Sequence, residues 1–175
     1  MHGLGGQGVV TAARIFAEAV AIGELRYAQT IPAYGHERRG APVYADIAVD
    51  DSPLKIKSFV YAPDYVVIFD MSVRNEGVNL TEGAGPHTVF IVNAKRGLDL
   101  GLDGYSVFSI DASEIARNVL GRDIPNSAML GAKAAAGLAR LDSVKNALRK
   151  VLGAALGDRN AEAAQVAYDH TQRCQ

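Results

Sequence analysis

The chain has 175 residues, of which 49% are hydrophobic and 21% charged, and these values are typical of a globular protein with one hydrophobic core. A net charge of −1 gives no electrostatic reason to expect binding to nucleic acid or to an anionic membrane. Its apolar runs are too short to span a bilayer, and its first residues lack the pattern of a signal peptide. Cys174 is the only cysteine, so the chain cannot form an internal disulfide or hold an iron–sulfur cluster with its own thiolates. We therefore expect a cytoplasmic protein of one domain, residues 1–175, with any metal centre on another chain.

The first ten residues, MHGLGGQGVV, contain a glycine pattern that is typical of phosphate-binding loops. Gly3, Gly5 and Gly8 fit the spacing G-x-G-x-x-G. Such glycines let the backbone approach a phosphate closely, and the amino terminus of the next helix offers free N–H groups. A tight turn that only packs a helix on a sheet would have the same pattern. Because so few residues precede the loop, we expect a truncated first strand to which at most His2 and Gly3 contribute.

The residues after this loop predict an α/β fold. Apolar residues at helical spacing indicate a helix that ends near Gly23, followed by a short strand over 26–31 and a loop over 31–42. Alternation over 43–49 predicts a half-buried strand, and residues 55–60 are predicted to pair with it in an antiparallel hairpin.

Three apolar runs in the second half of the chain predict buried parallel strands: 64–70, 87–93 and 105–111. Helices are predicted over 112–121, 126–141 and 142–153, and a last one begins with Asn160 as its N-cap. The predicted fold is Rossmann-like, with a largely parallel sheet flanked by helices and the added hairpin at 43–60.

The simplest interpretation of the glycine loop is a site for NAD(P). A dinucleotide site also needs an acidic residue about 20 residues further on, at the end of the second strand, to bind the ribose. That strand end has Gln29 and Thr30 instead, and Glu24 comes before the strand. The sequence therefore weakens the hypothesis of a stand-alone NAD(P)-binding domain, which we keep as an alternative.

The stretch YGHERRG is the second unusual segment. Arg38 and Arg39 are suited to bidentate contacts with phosphate or carboxylate, and Glu37 is placed to orient one of them. A solvated surface loop is the alternative for such an Arg-Arg pair, and His36 by itself indicates no catalytic role.

In order along the chain, GLGGQGVVTAA, YAQTIPAYGHERRGAPV, PDYVVIFD and NSAMLGAKAA resemble the γ subunit of the 2-oxoacid:ferredoxin oxidoreductases and the γ domain of the single-chain pyruvate enzymes. The likeness extends from Gly3 to the segment 160–169, and so covers nearly the whole chain. One departure is small: the family often has two glycines after the arginine of the second loop, whereas here Gly40 is followed by Ala41.

The resemblance implies a subunit of an enzyme that oxidatively decarboxylates a 2-oxo acid and transfers the acyl group to coenzyme A. It places thiamine diphosphate, Mg²⁺ and [4Fe-4S] clusters on partner subunits or domains of the α, β and δ types, and associates the γ part with coenzyme A. The expected electron acceptor is ferredoxin or a flavoprotein that passes electrons to NAD. Substrates used by this family include pyruvate, 2-oxoglutarate, and branched-chain, indolepyruvate and aryl-glyoxylate compounds, and the chain does not indicate which applies.

The resemblance, together with the chemistry of the two loops, gives a set of candidate binding residues and no catalytic ones. We expect the first loop or the arginines of the second to contact the phosphates of coenzyme A, without deciding which loop takes which phosphate. A role of some of them in the subunit interface is an equal alternative, and a purely structural subunit is a third hypothesis. The candidate residues are Gly3, Gly5, Gly6, Gln7, Gly8, Tyr34, Gly35, Glu37, Arg38, Arg39 and Gly40.

Overall fold

A computed structural model of the protein describes residues 1–34, 40–95 and 97–174. Seven of its strands form one sheet in the order β2-β3-β1-β4-β5-β6-β7. β1, β4, β5 and β6 are parallel and form the centre of the sheet, while β2, β3 and β7 add antiparallel pairs. The strands are β1 His2–Leu4, β2 Tyr27–Tyr34, β3 Pro42–Asp50, β4 Tyr65–Ile68, β5 Val89–Asn93, β6 Ser106–Ile110 and β7 Gln172–Arg173.

The three predicted buried strands are confirmed as β4, β5 and β6. Their side chains divide between two apolar layers because successive residues of a strand point to opposite faces. Val67, Phe69 and Ile91 belong to the layer beneath the long helices, and Ile68 and Phe90 belong to the layer on the other face.

The antiparallel hairpin exists, but its predicted position at 43–60 is wrong. β3 pairs with β2, from Tyr27 opposite Asp50 to Tyr34 opposite Val43. Residues 53–60 form no strand, and nearly all of them are exposed. β2 and β3 pack Ala28, Ile47 and Val49 against the core, whereas Ile56 of the predicted partner strand is exposed.

Helices cover one face of the sheet. They are α1 Val9–Gly23, α2 Ala112–Ile115 with a π-helical continuation Ala116–Leu120, α3 Asn126–Ala135, α4 Leu141–Leu152 and α5 Ala154–His170. The predicted stop at Gly23 is confirmed. α3 and α5 pack so closely that a Cβ on Gly131 would lie 2.0 Å from the carbonyl oxygen of Ala164. The opposite face is covered by a short 3₁₀ helix, Met71–Glu76, and by loops.

The prediction that Asn160 caps the last helix is wrong. α5 begins six residues earlier, and Asn160 lies buried inside it. Its Nδ2 donates to the carbonyl oxygen of Leu156 at 2.7 Å, and its Oδ1 accepts from Ser127 Oγ at 2.6 Å. An amide that is hydrogen-bonded in this way is tolerated inside a helix.

In the described part of the chain, no helix is long and apolar enough to cross a bilayer.

β1 is short, as expected, but it includes Leu4 in addition to His2 and Gly3. Beyond its amino end, β3 and β4 continue on either side. Two cavities, of about 560 and 640 Å³, open there on the two faces of the sheet, and Met1, Ile47 and Tyr65 line both of them.

Lys133 is a buried cation on α3, and only 2% of it is exposed. Its Nζ lies 3.2 Å from the centroid of the Phe16 ring and lines the smaller cavity. Burial lowers the pKa of the Lys133 ammonium well below its ordinary value of 10.5. The cation–π contact offsets only part of the cost of removing this charge from water.

We expect Lys133→Met to raise the free energy of unfolding by about 1–3 kcal/mol at pH 7, because methionine fills a similar volume without a charge. Since the folded pKa of Lys133 lies below its unfolded pKa, the unfolded chain binds more protons between the two values, and the wild type loses stability as the pH falls through that range. The gain should therefore be smallest near pH 10.5 and larger at pH 7. Denaturant titration of the full chain at both pH values measures it.

Lys57→Met is the matched control, because Lys57 is exposed. It should change stability by no more than about 0.5 kcal/mol at either pH. A Lys133→Met variant that is less stable than the wild type at pH 7 would show that the ammonium makes a net favourable contribution.

Candidate functional site

The glycine loop lies at the carboxyl ends of the parallel strands, where the chain reverses its direction of travel across the sheet. From β1 the chain passes to β2 and β3 on one side, and it then returns to form β4 on the other side. In open α/β sheets, ligands bind in the crevice outside the strand ends at such a reversal. The loop between β1 and α1 therefore occupies the position where this fold class holds its ligands.

Gln7 closes the loop from within. Its Oε1 accepts a hydrogen bond from the Leu4 N–H at 2.8 Å, and its own N–H donates to the Leu4 carbonyl oxygen at 3.1 Å. Gly6 and Gly8 adopt positive φ of 100° and 77°, a conformation that side chains other than glycine rarely accept. The turn therefore has a defined shape before any ligand is considered.

Two of the predicted glycines are required by contacts within the protein. A Cβ on Gly3 would lie 2.7 Å from Val9 Cγ2 and 2.8 Å from Phe69 Cβ. A Cβ on Gly8 would lie 2.8 Å from Asn126 Nδ2. Packing within the protein thus accounts for Gly3 and Gly8. This role is compatible with a ligand that contacts the other residues of the loop.

A hydrogen bond from Gln7 Nε2 to Asp70 Oδ2, 2.7 Å long, ties the loop to the end of β4. Asp70 Oδ1 also accepts from the Ser72 N–H at 2.9 Å. Burial favours the neutral form of Asp70, but the hydrogen bonds from Ser72 and Gln7 outweigh it and hold the pKa of this carboxyl below its ordinary value. Asp70 is therefore ionised at neutral pH and acts as an acceptor only.

The structure brings the two predicted loops together. Gly5 N–H donates to the Ala41 carbonyl oxygen at 2.8 Å, and Gly40 N–H donates to the Gly5 carbonyl oxygen at 3.2 Å. Tyr34 ends β2, on the near side of the second loop. The other predicted residues of that loop lie outside the described residues: Gly35, Glu37, Arg38 and Arg39.

The geometry removes the premise of a dinucleotide site. β2 does not end at Gln29–Thr30 but runs on to Tyr34, and β3 separates it from β1. A ribose-binding carboxylate at the end of β2 would therefore lie two strands away from the glycine loop. The strand beside β1 on that side is antiparallel and contributes its amino end, Pro42, at this edge.

The amino terminus of α1 has the features of an anion site. Its N-cap, Gly8, has no side chain to bond the first-turn amides, and the fully described first turn contains no acidic residue. The unpaired amides and the helix dipole at such an end favour phosphate. This part of the site fits a phosphate-bearing cofactor such as coenzyme A.

Sequence reasoning missed Asp70, Ala41 and Asn126 as parts of this site. Asp70 ends a predicted strand, which places it at the correct edge, and Asn126 begins a predicted helix. Their positions at the ends of predicted elements are the features of the sequence that could have located these two residues. Nothing in the sequence indicates that the two side chains contact Gln7 and Gly8.

We expect Gln7→Glu to destabilise the chain by about 1–2 kcal/mol at pH 7, because it replaces the donor to Asp70 with a second carboxylate of the same shape. The loss should shrink as the pH falls and one of the two carboxyls binds a proton. The double variant Gln7→Glu with Asp70→Asn restores a donor–acceptor pair with the roles exchanged, so it should recover most of the loss. A double-mutant cycle of unfolding free energies measures the coupling, and purely additive effects would contradict it.

The family model described as Pyruvate ferredoxin/flavodoxin oxidoreductase matches residues 1–170. Pyruvate synthase subunit PorC of Methanocaldococcus jannaschii is 44% identical over 170 residues, which cover 96% of this chain and 93% of that protein. The pyruvate/ketoisovalerate oxidoreductases common subunit gamma of Thermococcus kodakarensis is 43% identical over 176 residues, covering 97% and 94%.

Among solved structures, pyruvate oxidoreductase subunit PORC from Thermotoga maritima has a TM-score of 0.84 and 28% identity, covering 99% of this chain and 96% of that one. The 2-oxoglutarate:ferredoxin oxidoreductase from Magnetococcus marinus, with 2-oxoglutarate, coenzyme A and succinyl-CoA bound, shares the fold with a TM-score of 0.73 and 18% identity, over 99% of this chain and 31% of that one. The chain belongs to the pyruvate ferredoxin/flavodoxin oxidoreductase family.

Proposed function

We propose that this chain is the γ subunit of a cytoplasmic 2-oxoacid oxidoreductase complex, and that it helps to bind coenzyme A and to assemble the complex. The observation that carries the proposal is the pair of loops joined by the Gly5–Ala41 and Gly40–Gly5 hydrogen bonds at the carboxyl edge of the sheet. Family membership along nearly the whole chain supports the same reading, since relatives of similar length are named as γ or PorC subunits.

In this proposal the reaction is divided between chains. Thiamine diphosphate with Mg²⁺ and the [4Fe-4S] clusters reside on partners of the α, β and δ types, and ferredoxin or a flavoprotein linked to NAD accepts the electrons. Coenzyme A supplies the thiol that takes the acyl group. This chain contributes binding and orientation of that cofactor, not a catalytic group.

The described geometry suggests how the chain would bind coenzyme A. The bonds between Gly5, Gly40 and Ala41 hold the carboxyl end of the second loop against the glycine loop. In the proposal, Arg38 and Arg39 bind phosphate through their guanidinium groups, Glu37 orients one of them, and the start of α1 adds unpaired amides. Coenzyme A has a pyrophosphate and a 3′-phosphate, which match these two kinds of donor.

A purely structural subunit is the second candidate, because the same inter-loop hydrogen bonds would also stiffen a surface that contacts another chain. A stand-alone NAD(P)-binding domain is less well supported, since β3 lies between the glycine loop and the end of β2. The experiments below separate these functions.

We expect the native protein, purified by a tag on this chain, to co-purify with a chain that binds thiamine diphosphate. A second companion chain should show the visible absorbance of cysteine-ligated iron–sulfur clusters. The purified assembly should reduce ferredoxin or a viologen dye when given a 2-oxo acid and coenzyme A. Recovery of a lone monomer that binds NADH in a fluorescence titration would contradict the subunit assignment.

We expect Arg38→Ala with Arg39→Ala to raise the KM for coenzyme A of the assembled complex about tenfold or more, with a smaller effect on kcat, because charge-assisted bonds to phosphate are lost. Arg122→Ala is the control, since Arg122 is exposed on the loop between α2 and α3. An unchanged KM in a complex of normal composition would favour the purely structural subunit. Failure of the complex to assemble would assign the arginines to the interface.

A further inference from the structure

The amino termini of α1 and α3 meet at one point beside the glycine loop. Gly8 is the N-cap of α1, and Asn126 is the first residue of α3. The Asn126 Nδ2, Cβ and Cγ atoms lie 2.8, 3.0 and 3.1 Å from the position that a Cβ on Gly8 would take. The glycine at position 8 therefore makes room for the carboxamide of Asn126.

Both helix ends have the same unbalanced charge. α1 and α3 are 15 and 10 residues long and lie wholly within the described residues. Neither has an acidic residue in its first turn, and neither N-cap residue provides a side-chain hydrogen bond. Two positive dipole ends at one point, with no carboxylate in either first turn, favour an anion.

The Asn126 side chain is a second and independent indication of a ligand. It is only 8% exposed, and its Oδ1 accepts from the Ser127 N–H at 2.8 Å. Because Oδ1 is used by donors, Nδ2 is the atom that faces Gly8. No acceptor for Nδ2 is found among residues 1–34, 40–95 and 97–174.

The free donor is also reachable. In the described part of the chain, no fully buried side-chain nitrogen or oxygen lacks a hydrogen-bond partner. Nδ2 has none, so it must retain contact with the surface. A carboxamide N–H group that is free and reachable can donate a hydrogen bond to a phosphate oxygen.

The orientation of Asn126 is fixed from behind. Ser127 Oγ donates to Asn160 Oδ1 at 2.6 Å, and Asn160 Nδ2 donates to the Leu156 carbonyl oxygen at 2.7 Å. This chain of bonds anchors the start of α3 to α5. The Asn126 amide is therefore held in place before a ligand arrives, which reduces the entropic cost of binding.

We propose that Asn126 Nδ2 and the first amides of α1 together bind one phosphate group of coenzyme A. The inference rests on the proposed function for the identity of the ligand, but the anion site itself follows from the geometry above. The proposal adds a binding residue from α3 to those of the glycine loop and the second loop. It also assigns Asn126 Nδ2 and the first α1 amides to a phosphate group, not to a ribose or a cation.

The first experiment uses the assembled complex and steady-state kinetics with coenzyme A. Asn126→Asp keeps the side-chain shape but replaces the donor by a carboxylate, and Asn126→Ala removes the donor. We expect the KM for coenzyme A to rise about tenfold for Asn126→Ala and about 100-fold for Asn126→Asp. Asn146→Asp adds the same charge at an exposed position of α4 and should leave the KM unchanged. A KM within twofold of the wild type for both Asn126 variants would overturn the proposal.

Two shorter acceptors identify the phosphate. Dephospho-coenzyme A lacks the 3′-phosphate, and pantetheine lacks all phosphates. If Asn126 binds the 3′-phosphate, Asn126→Asp should abolish the preference for coenzyme A over the dephospho form. If it binds the pyrophosphate, the KM should rise for both nucleotides and stay unchanged for pantetheine. Either result supports the site, whereas an equal rise for pantetheine would indicate a purely structural defect and overturn it.

The second experiment does not depend on the proposed function. Inorganic pyrophosphate is titrated into the isotopically labelled full chain, and the amide signals of Gly8, Val9 and the Asn126 side chain are followed by NMR. These signals should shift in the wild type and in Asn146→Asp, and not in Asn126→Asp. Absence of any shift at tens of millimolar pyrophosphate would overturn the anion site. Shifts in a chain that forms no 2-oxoacid oxidoreductase complex would retain the site and refute the proposed function.

The carboxylate variant also has a folding readout. A negative charge at the start of α3 should raise the Tm of the free chain by about 1–4 °C. A variant that folds better and binds coenzyme A worse cannot be explained by loss of structure. An Asn126→Asp chain that is unfolded leaves Asn126→Ala and the NMR titration to decide.

Discussion

The placement of β3 next to β1 is the constraint on which the rest of the site depends. β3 runs antiparallel to β1, so its amino end lies at the edge where β1 ends and the glycine loop begins. The carbonyl of Ala41 and the amide of Gly40 are thereby presented to Gly5, and two backbone hydrogen bonds close the gap. Two loops that are more than thirty residues apart in the sequence become one surface because a strand was inserted between β2 and β1.

This insertion also changes what the glycine loop can bind. In a dinucleotide-binding fold, the strand that follows the first helix lies beside β1 and supplies the ribose carboxylate. Here the corresponding strand, β2, is displaced outward by one position. Asp70, at the end of β4 on the other side of β1, is a carboxylate that contacts the loop, and its oxygens are occupied by Gln7 and Ser72. The end of β2, where such a fold holds its ribose carboxylate, is therefore two strands away from the glycine loop.

The glycines of the loop have separate physical reasons. Gly3 is fixed by the packing of Val9 and Phe69 beneath the sheet edge, and no ligand is needed to explain it. Gly8 requires a positive φ and makes room for Asn126. A pattern of glycines therefore indicates positions where a side chain would clash or the backbone needs a positive φ. Only the structure shows whether the neighbouring group is part of the protein or whether space remains for a ligand.

The sequence predicted the elements whose signals are local. Apolar runs located β4, β5 and β6, and helical spacing located α1 and its end at Gly23. The hairpin was misplaced because residues 55–60 have the composition of a strand, and the choice between them and β2 depends on which segment buries its side chains against α1. Asn160 was misassigned for a similar reason, since an asparagine that bonds a serine of another helix has the same local sequence as an N-cap.

The polar groups of the site divide into those that the fold satisfies and those that it leaves with a free donor. Gln7, Asp70, Ser127 and Asn160 exchange hydrogen bonds with one another or with the backbone, and they fix the shape of the loop and of the start of α3. The remaining donors, Asn126 Nδ2 and the first amides of α1, lie beside one another at Gly8, and none of them is an acceptor. A fold that satisfies its buried polar groups elsewhere and gathers only donors at one reachable point has an electrostatic preference for an anion at that point. This preference, and not the count of glycines, is the physical basis for assigning a phosphate to this edge of the sheet.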